Sequence, residues 1–296
     1  MYNGIINVYK EKGYTSHDVV AKLRGILKQK KIGHTGTLDP DATGVLPVCL
    51  GIGTKLCDML TDRSKTYKAV LLLGVTTDTE DITGEIICKN TVNTTEDEVV
   101  KTINSFIGEY DQIPPMYSAI KVNGKKLYEL AREGKSVERK PRHVVISDIE
   151  ITGIDLPYVT MTVSCEKGTY IRSLCRDIGE KLGCGGCVES LVRTRVGNFT
   201  IDKALTLKQI EELRDSGKLS ERIETVDSAF LDYPKILVKG REDTLVSNGN
   251  KFPKKEEWPD GFVRVYREST GGCFAGVYVS DNERFYKPYK MFQNGE

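Results

Sequence analysis

Excess charge of either sign is almost absent from this sequence, and so are the long apolar runs of membrane proteins. Its 296 residues carry 43 lysines and arginines against 42 aspartates and glutamates, a formal net charge of +1. That balance excludes a disordered polyelectrolyte and removes net charge as an argument for nucleic-acid binding. The longest clean apolar run, 69–75, is far below the ~20 residues of a membrane-spanning helix. The chain is expected to be soluble, with no membrane partner.

Metal ligands and nucleotide-binding loops are equally scarce. Of the three histidines, none has the i, i+4 partner of a helical metalloprotease site. Cys184 and Cys187 have the spacing of half a zinc site, but no second pair completes the four ligands. Neither a Gly-x-x-x-x-Gly-Lys-Ser/Thr loop nor a helix opened by Gly-x-Gly-x-x-Gly is found. The sequence therefore predicts no metal site and disfavours nucleotide-dependent chemistry.

The cysteines and the first residues indicate the compartment. The eight cysteines lie mostly inside apolar stretches, unlike those in the dense loops of a disulfide-stapled secreted domain. We expect most of them to be reduced and buried. Residues 1–6 lack the basic and apolar regions of a secretory signal, so a cytoplasmic location is the expectation.

Hydrophobic periodicity predicts an α+β fold. Thr-x-x-Asp and Thr-x-x-Glu boxes at Thr15 and Thr95 predict helix starts, and further helices are expected from 171 and from about 207. Strands are expected at 5–9, 45–50, 67–73, 86–88, 144–151 and 159–165, with an acidic turn at 76–85 and an irregular loop at 31–44. Because these elements alternate without a βαβ rhythm, the sheet should be mixed and largely antiparallel, with flanking helices.

A change of composition near Tyr233 and Pro234 predicts two domains, 1–232 and 233–296. The second contains a short helix that ends near Asn248, followed by β-rich segments at 262–266, 274–279 and 284–289. That spacing predicts a small C-terminal β-barrel.

Positive charge is concentrated in one segment, 113–145, which carries eight lysines and arginines against three glutamates. Tyr117 and Tyr128 interleave with that charge. The pattern suits contacts to a phosphate backbone with adjacent stacking platforms. A solvated helix with its loops is the alternative, and charge alone favours it.

The loop at 33–44 concentrates features that a connector does not need. Its sequence, GHTGTLDPDATG, places Asp39 before Pro40, which pushes Asp39 toward an extended conformation. Glycines around it permit sharp turns and the close approach of a ligand. From these residues alone, an ordinary turn and a functional site are equally good interpretations.

This loop resembles Gly-His-x-Gly-Thr-Leu-Asp-Pro-x-Ala-x-Gly, the signature of the tRNA pseudouridine-55 synthases of the TruB type. Further matching segments follow the family's order: KEKGYTS at 10–16, SKTYKA at 64–69, PPMYSAIK at 114–121, GTYIRSL at 168–174 and LVRT at 191–194. The match covers roughly residues 1–230. Glu11, Asp41, Cys184 and Cys187 depart from the family pattern, and packing explains the two cysteines better than zinc.

The resemblance implies a pseudouridine-synthase-like core with a PUA-like RNA-binding domain at the C-terminus. It implies isomerisation of uridine 55 in the T loop of tRNA, with the base flipped out and no cofactor. Asp39 matches the essential catalytic aspartate, which an ordinary pKa leaves ionised at neutral pH. Arg172 matches the arginine that pairs with it, and Tyr67 matches the tyrosine that stacks on the uracil.

Five further residues are expected to bind substrate through the same resemblance. His34 matches the residue placed against the disrupted base stack, and Leu191 matches a leucine that closes the apolar wall of the uracil pocket. Lys10, Tyr170 and Lys121 belong to matching motifs. The expected partner is the T arm of tRNA, bound by a monomer without an obligate protein partner, and 113–145 is expected to grip it.

Two other functions stay open at this point. A guide-RNA-dependent pseudouridine synthase shares the aspartate loop, but such chains carry basic extensions that this sequence lacks. A non-catalytic tRNA-binding or folding factor would have no need of Asp39, Tyr67 and Arg172 together.

Overall fold

A computed structural model of the protein describes residues 1–281 and 284–292, and it confirms the predicted α+β fold. Within these residues the α-helices are α1 (Ser16–Leu27), α2 (Cys57–Thr61), α3 (Glu96–Asn104), α4 (Leu127–Arg132), α5 (Ile171–Lys181), α6 (Leu207–Asp215) and α7 (Gly240–Ser247). The first ten strands are β1 (Gly4–Lys10), β2 (Ile32–His34), β3 (Thr43–Leu50), β4 (Lys65–Leu73), β5 (Val75–Thr77), β6 (Ile86–Lys89), β7 (Gly108–Gln112), β8 (Lys121–Val122), β9 (Lys125–Lys126) and β10 (Arg142–Asp155). The others are β11 (Tyr158–Cys165), β12 (Gly186–Val196), β13 (Phe199–Thr200), β14 (Ile223–Glu224), β15 (Lys235–Val238), β16 (Phe252–Pro253), β17 (Phe262–Arg267), β18 (Cys273–Asp281) and β19 (Phe285–Met291).

Capping boxes start the helices where the sequence predicts them. The Thr15 hydroxyl accepts from the Asp18 backbone N–H while the Asp18 carboxylate accepts from the Thr15 N–H. Thr95 and Glu98 make the same reciprocal pair at α3. Each box satisfies two backbone N–H groups that a helix start otherwise leaves without partners. The helix that follows Thr15 places its second residue, His17, next to the loop at 33–44.

The main sheet consists of two halves that meet at a narrow junction. In the described residues it has ten strands, in the order β14-β1-β3-β12-β4-β11-β10-β7, with β2 paired to β3 and β13 paired to β12. Among its described strand pairs only β3 and β12 run parallel, and they pair Val192 with Thr43 and Arg193 with Gly44. The loop that carries Asp39 leads directly into Thr43. The predicted mixed, largely antiparallel sheet is thus confirmed, and its junction lies beside the loop.

Gly44 makes this junction sterically possible. Its φ of +107° lies in a region that favours glycine, and a Cβ placed on it would lie 2.2 Å from the Arg193 carbonyl oxygen. No side chain fits in that space, because real Cβ atoms do not come within 3.0 Å of a backbone atom. The last glycine of the loop therefore lets the two halves of the sheet touch.

Helices cover each half of the sheet and bury its apolar side chains. Leu23 of α1 and Ile210 of α6 share a cluster with Val48 of β3. Ile103 of α3 and Leu174 of α5 share a second cluster with strands β4 and β11. Full burial of such a side chain contributes about 1.5–3 kcal/mol. These clusters hold the two halves, and with them the loop and the start of α5, in fixed places.

The predicted C-terminal barrel is a curled sheet that, in the part of the chain the structure describes, has five strands in the order β15-β17-β18-β19-β16. An apolar cluster joins it to the first sheet, with Phe230, Phe292 and Val277 packed near Val45 and Val196. The proposed boundary at 232/233 falls just before β15. Residues 282–283 and 293–296 of the predicted domain lie outside the described residues.

Several expectations from the sequence need correction. The irregular region predicted for 31–44 begins with the short strand β2, so the true loop is 35–42. Strand β12 was not predicted, although it occupies the centre of the main sheet. The basic excursion ends at residue 141, because residues 142–145 belong to β10.

Cys184 and Cys187 are buried and all eight cysteines, which lie within the described residues, are free. Cys184 packs in the apolar cluster that also contains Leu174. Across 1–281 and 284–292, no cluster of three His, Cys, Asp or Glu side chains is arranged to hold a metal ion. Within the same residues, no helix is both long enough and apolar enough to cross a membrane.

Candidate active site

The loop at 35–42 is held from beneath by the segment that precedes α1. Lys10 Nζ and the Gly13 backbone N–H both donate to the Pro40 carbonyl, at 3.0 and 2.9 Å. The Leu38 N–H donates to the hydroxyl of Ser16, which is buried, at 2.9 Å. The two sequence motifs that precede and contain Asp39 are therefore one structural unit. Their hydrogen bonds fix the backbone on both sides of Asp39.

Lys10 has no ammonium proton left for a substrate. Its Nζ also donates to the carbonyls of Glu11 and Tyr14, at 3.1 and 2.6 Å, and the residue is fully buried. Burial lowers the pKa of Lys10 to about 8, while Asp39 and Asp41 oppose that change. The expectation of a direct substrate contact is corrected here, because the three carbonyls occupy all three N–H donors. Lys10 instead supports the loop that carries Asp39.

Arg193 supports the same loop from the other half of the sheet. Its Nε donates to the Val45 carbonyl at 2.7 Å, and its terminal nitrogens reach the carbonyls of Thr37 and Gly36 at 3.5 Å. The side chain is only 1% exposed. Sequence reasoning quoted Arg193 only as part of a motif and gave it no role. A prediction of strand β12 would have placed Arg193 inside the sheet, next to the loop.

Asp39 forms a two-point ion pair with Arg172. The Arg172 Nε lies 2.9 Å from one carboxylate oxygen and its Nη2 donates to the other at 3.0 Å. Arg172 is the second residue of α5 and its side chain is 6% exposed. The planar guanidinium fork matches the carboxylate and fixes its orientation as well as its charge. Two residues that are 133 positions apart in the sequence therefore form the centre of the site.

The remaining donors of Arg172 are used by two other segments. Nη1 donates to the Thr79 carbonyl at 2.9 Å and lies 3.8 Å from the Asp81 carboxylate. Nη2 also donates to the Tyr117 carbonyl at 2.8 Å. The acidic turn at 76–85 and the base of the basic excursion thus meet at this arginine. Sequence reasoning treated that acidic turn as a connector and missed Asp81.

The surroundings of Asp39 raise its pKa above the ordinary value. Desolvation by protein atoms is the main cause, Arg172 opposes the rise, and the charge of Asp81 adds to it. The side chain is nevertheless 39% exposed, so part of it stays accessible to a ligand. The sequence expectation of an unperturbed aspartate is corrected accordingly. A desolvated carboxylate is a stronger base and nucleophile than one in water.

An apolar wall lies beside this carboxylate. Tyr67 of β4 belongs to the same cluster as Leu38 and Ala42 of the loop, and Leu191 of β12 packs against that cluster. Burial raises the pKa of Tyr67, while the Arg193 guanidinium lowers it. The tyrosine is thus neutral at pH 7 and presents an aromatic ring within a mostly apolar region. The structure brings Asp39, Arg172, Tyr67 and Leu191 together.

His34 lies at the end of β2, directly before the loop. Its ring contacts that of His17 edge to face, with 5.2 Å between the centroids. Burial lowers the pKa of His34, and the charges of His17 and Arg193 lower it further. At neutral pH His34 is therefore an uncharged, flat side chain at the edge of the site.

The last two predicted residues, Tyr170 and Lys121, are not among the hydrogen-bond partners of Asp39 in the described residues. Tyr170 precedes α5, where its backbone N–H donates to the Gln112 side chain at 2.8 Å and its carbonyl accepts from the same amide at 3.1 Å. Lys121 is exposed on a short hairpin, where it pairs in register with Lys126. Tyr170 thus fixes the start of the helix that carries Arg172, while Lys121 contributes charge to the basic surface.

Family models match most of the chain. The N-terminal domain of the TruB family pseudouridylate synthases matches residues 24–171, and the C-terminal domain of tRNA pseudouridylate synthase B matches residues 172–231. The tRNA pseudouridine synthase B of Lachnoclostridium phytofermentans is 55% identical over 98% of this chain and 99% of its own. That of Alkaliphilus oremlandii is 50% identical over 84% of this chain and 83% of its own.

Solved structures share the fold. The crystal structure of a Cbf5-Nop10-Gar1 complex contains a chain with a TM-score of 0.71 and 27% identity, covering 98% of this chain and 85% of that one. An H/ACA RNP bound to a substrate RNA containing 2'-deoxyuridine contains a chain with the same TM-score and 25% identity. The predicted core architecture is therefore confirmed by comparison as well as by the sheet topology.

Proposed function

Since this chain belongs to the TruB family of pseudouridylate synthases, we propose that it converts uridine 55 in the T loop of tRNA into pseudouridine at the Asp39 site. The observation that carries this proposal is the two-point pair between Asp39 and Arg172, on a loop that is already fixed by buried contacts. The pair holds a carboxylate in one orientation beside an apolar wall. An RNA base fits against such a wall, with its ribose beside the carboxylate.

The reaction needs only what the chain itself supplies. The bond between uracil N1 and the ribose is broken, the base turns, and a bond forms between uracil C5 and the same ribose carbon. The C5 proton leaves and N1 gains one, so atoms and electrons balance without a cosubstrate. We assign Asp39 as the essential carboxylate, and Tyr67 as the ring that stacks on the uracil. Leu191 closes the apolar side of the pocket.

A uridine inside a folded T loop is stacked, so the enzyme has to extrude it at a cost of ~ a few kcal/mol. We assign His34 to the gap that the base leaves. An uncharged, flat ring suits a stack of bases, and the lowered pKa of His34 keeps it uncharged at neutral pH.

RNA contacts outside the pocket come from two regions in this proposal. The excursion at 113–141 presents exposed cations such as Lys121 and Lys140. Near its start, the Tyr117 carbonyl accepts a hydrogen bond from Arg172. The unit at 233–296 adds a PUA-like RNA-binding surface. We propose that the chain acts on tRNA as a monomer in the cytoplasm, without an obligate protein partner.

A guide-RNA-dependent synthase is the alternative within enzymes, since the neighbouring solved structures contain H/ACA assemblies. The high identity to proteins named tRNA pseudouridine synthase B, over nearly the whole of both chains, supports the stand-alone tRNA enzyme instead.

The test is incubation of the purified chain with an unmodified tRNA transcript, without cofactor, guide RNA or partner, followed by base-resolved detection of pseudouridine. Asp39→Asn is the matched variant, because it keeps the size of the side chain and removes the charge. We expect at least ~10³-fold loss in single-turnover rate with tRNA binding retained. The fold should survive, since Arg172 keeps the carbonyls of Thr79 and Tyr117 as acceptors.

Stability gives a control for this variant. The folded protein raises the pKa of Asp39, so it favours the neutral form more than the unfolded chain does. The stability that this difference provides at low pH is lost as the pH rises through the folded pKa. Because Asn is neutral at every pH, this part of the pH dependence of stability should be absent from Asp39→Asn, which denaturant titration at several pH values measures. Wild-type activity in this variant would refute the assignment, and an inactive wild type would favour a binding factor.

A further inference from the structure

A strained acidic residue lies directly behind Arg172. Glu80 has a φ of +64°, in the left-handed region that favours glycine, and it is only 7% exposed. Such a backbone is unfavourable in a residue with a side chain, and persists only where the surroundings fix it. A buried carboxylate also needs charged or hydrogen-bonding partners. Glu80 combines an unfavourable backbone conformation with a buried charge. An ordinary turn needs neither, which indicates that the contacts of Glu80 have a specific role.

The carboxylate of Glu80 is bound on both oxygens by helix α5. The Ser173 hydroxyl donates to one oxygen at 2.7 Å, and the Arg176 guanidinium forms a direct ion pair with the other. Ser173 directly follows Arg172, and Arg176 lies one turn later on the same helix. The Glu80 backbone carbonyl accepts from the Val188 N–H of β12 at 3.1 Å. The acidic turn is therefore tied to both the helix and the central strand through this one residue.

The neighbours of Glu80 in the chain are themselves contacts of Arg172. The Thr79 carbonyl accepts from Arg172 at 2.9 Å, and the Asp81 carboxylate lies 3.8 Å from the same nitrogen. Because the three residues are consecutive, any rotation of the Glu80 backbone displaces both groups. The guanidinium that holds Asp39 would lose its support on that side.

Arg176 extends this arrangement to the base of the basic excursion. Its Nη2 donates to the Ile113 carbonyl at 3.0 Å and lies 2.7 Å from Asp177. The Glu80–Arg176 pair thus lies between the acidic turn and the first residue of the excursion. The turn, the helix and the excursion all converge on this one buried pair.

We propose that Glu80 is a positioning residue for the isomerisation: its doubly bound carboxylate holds the acidic turn against α5 and so fixes Arg172 in its two-point pair with Asp39. This inference rests on the function proposed above and deepens it. Glu80 touches neither Asp39 nor the space beside it in the described contacts. Its effect on the reaction therefore passes through Arg172.

The main test variant is Glu80→Gly, because glycine accepts the left-handed backbone while the whole anchoring side chain is removed. Single-turnover rate at saturating tRNA should fall roughly 10-fold or more, and the dissociation constant for tRNA should stay within about 3-fold of wild type. Glu80→Gln keeps the length and part of the hydrogen bonding, so its rate should lie between the two. Glu85→Gln, on the exposed part of the same turn, is the control and should match wild type.

The pH–rate profile separates positioning from general destabilisation. Arg172 lowers the pKa of Asp39, so a loosely held Arg172 should move the acidic limb of the profile to higher pH. The groups that act on the Asp39 charge, which are Arg172, Asp81 and Lys10, remain unchanged in these variants. A loss of folded protein would lower the amplitude of the reaction without moving that limb.

If Glu80→Gly does not fold, Ser173→Ala supplies the second test, since it removes one of the two bonds and keeps the ion pair. A reduced rate with the same upward movement of the acidic limb supports the inference. A wild-type rate and profile in the folded variant would overturn it while the proposed function stands. An inactive wild-type protein would instead overturn the proposed function, and the inference with it.

Discussion

The loop at 35–42, which carries Asp39, and the basic excursion at 113–141 both lie outside the long strands, yet they are held in different ways. The loop is fixed by buried side chains from distant parts of the chain, namely Lys10, Ser16, Arg172 and Arg193. The excursion is held mostly by local and exposed contacts, such as those of Glu133 with Lys125 and Lys135.

The difference matches what each region contributes to the proposed reaction. Chemistry needs a carboxylate in one orientation, and buried charge pairs supply that at a high cost in desolvation. Contacts to a phosphate backbone need positive charge on side chains that can change conformation. Exposed lysines supply it, and their ion pairs contribute little to the stability of the fold. Substitutions in the two regions should therefore affect different measurements.

Breaking the central pair should give the largest effect. Arg172→Met removes both bonds to Asp39, and we expect a 10²- to 10³-fold lower single-turnover rate, of the order seen when one transition-state donor is lost. The acidic limb of the pH–rate profile should also move to higher pH, because Arg172 lowers the pKa of Asp39. Arg172→Lys, which keeps the charge without the fork, serves as the matched variant and should be intermediate. If Arg172→Met reacted within 3-fold of the wild-type rate, the buried contacts of the loop would matter no more for the reaction than the exposed contacts of the excursion.

Removing the support beneath the loop should mainly affect stability. Lys10→Met keeps the approximate volume but removes the hydrogen bonds to the Glu11, Tyr14 and Pro40 carbonyls, of which Pro40 keeps the Gly13 N–H, so the free energy of unfolding should fall by roughly 2 kcal/mol at pH 7. Lys12→Met is the control, since Lys12 is 73% exposed, and it should change stability by less than about 0.5 kcal/mol. Denaturant titration measures both.

The pH dependence of this difference has a defined sign. The folded protein lowers the pKa of Lys10 to about 8 from 10.5, so the unfolded chain binds the proton more tightly. Between those values the stability of wild type should rise with pH relative to Lys10→Met. A constant difference from pH 7 to 10 would show that folding does not lower the pKa of Lys10.

The smallest effect is expected from the excursion. Lys121→Gln together with Lys140→Gln removes two exposed cations, and tRNA binding should weaken by roughly 3- to 10-fold at moderate salt. The slope of log affinity against log salt should become shallower by roughly 1 to 2, depending on how many phosphate contacts are lost. The single-turnover rate at saturating tRNA should stay within 2-fold of wild type. An unchanged salt slope would mean that this segment does not contact phosphate.

The sequence indicated the local structure of the site better than its support. The capping box at Thr15 and the irregular loop around Asp39 follow from residue types close together in the chain. The family resemblance added Arg172, which local patterns do not connect to Asp39. The burial of Lys10 and the left-handed backbone of Glu80 depend on tertiary contacts, and no sequence period encodes them.

Strand β12 shows why part of the fold was missed. Its pairing with β4 shifts register at Val188/Ser190 and again at Arg193/Arg195, so buried and exposed positions do not alternate regularly. A fully buried arginine in its centre further hides the strand from hydrophobic patterns. Arg193, which interrupts the apolar pattern of β12, is also the residue that supports the loop around Asp39.

The distance in sequence between the loop and its two arginines has a consequence for biosynthesis. Arg172 lies 133 residues after Asp39, and Arg193 lies 148 residues after Val45. A nascent chain that has emerged as far as residue 171 contains the aspartate but neither of the side chains that hold it. Contacts of such high sequence separation form late and slowly. Under the proposed function, the growing polypeptide therefore has no complete site until about two thirds of its 296 residues have been translated.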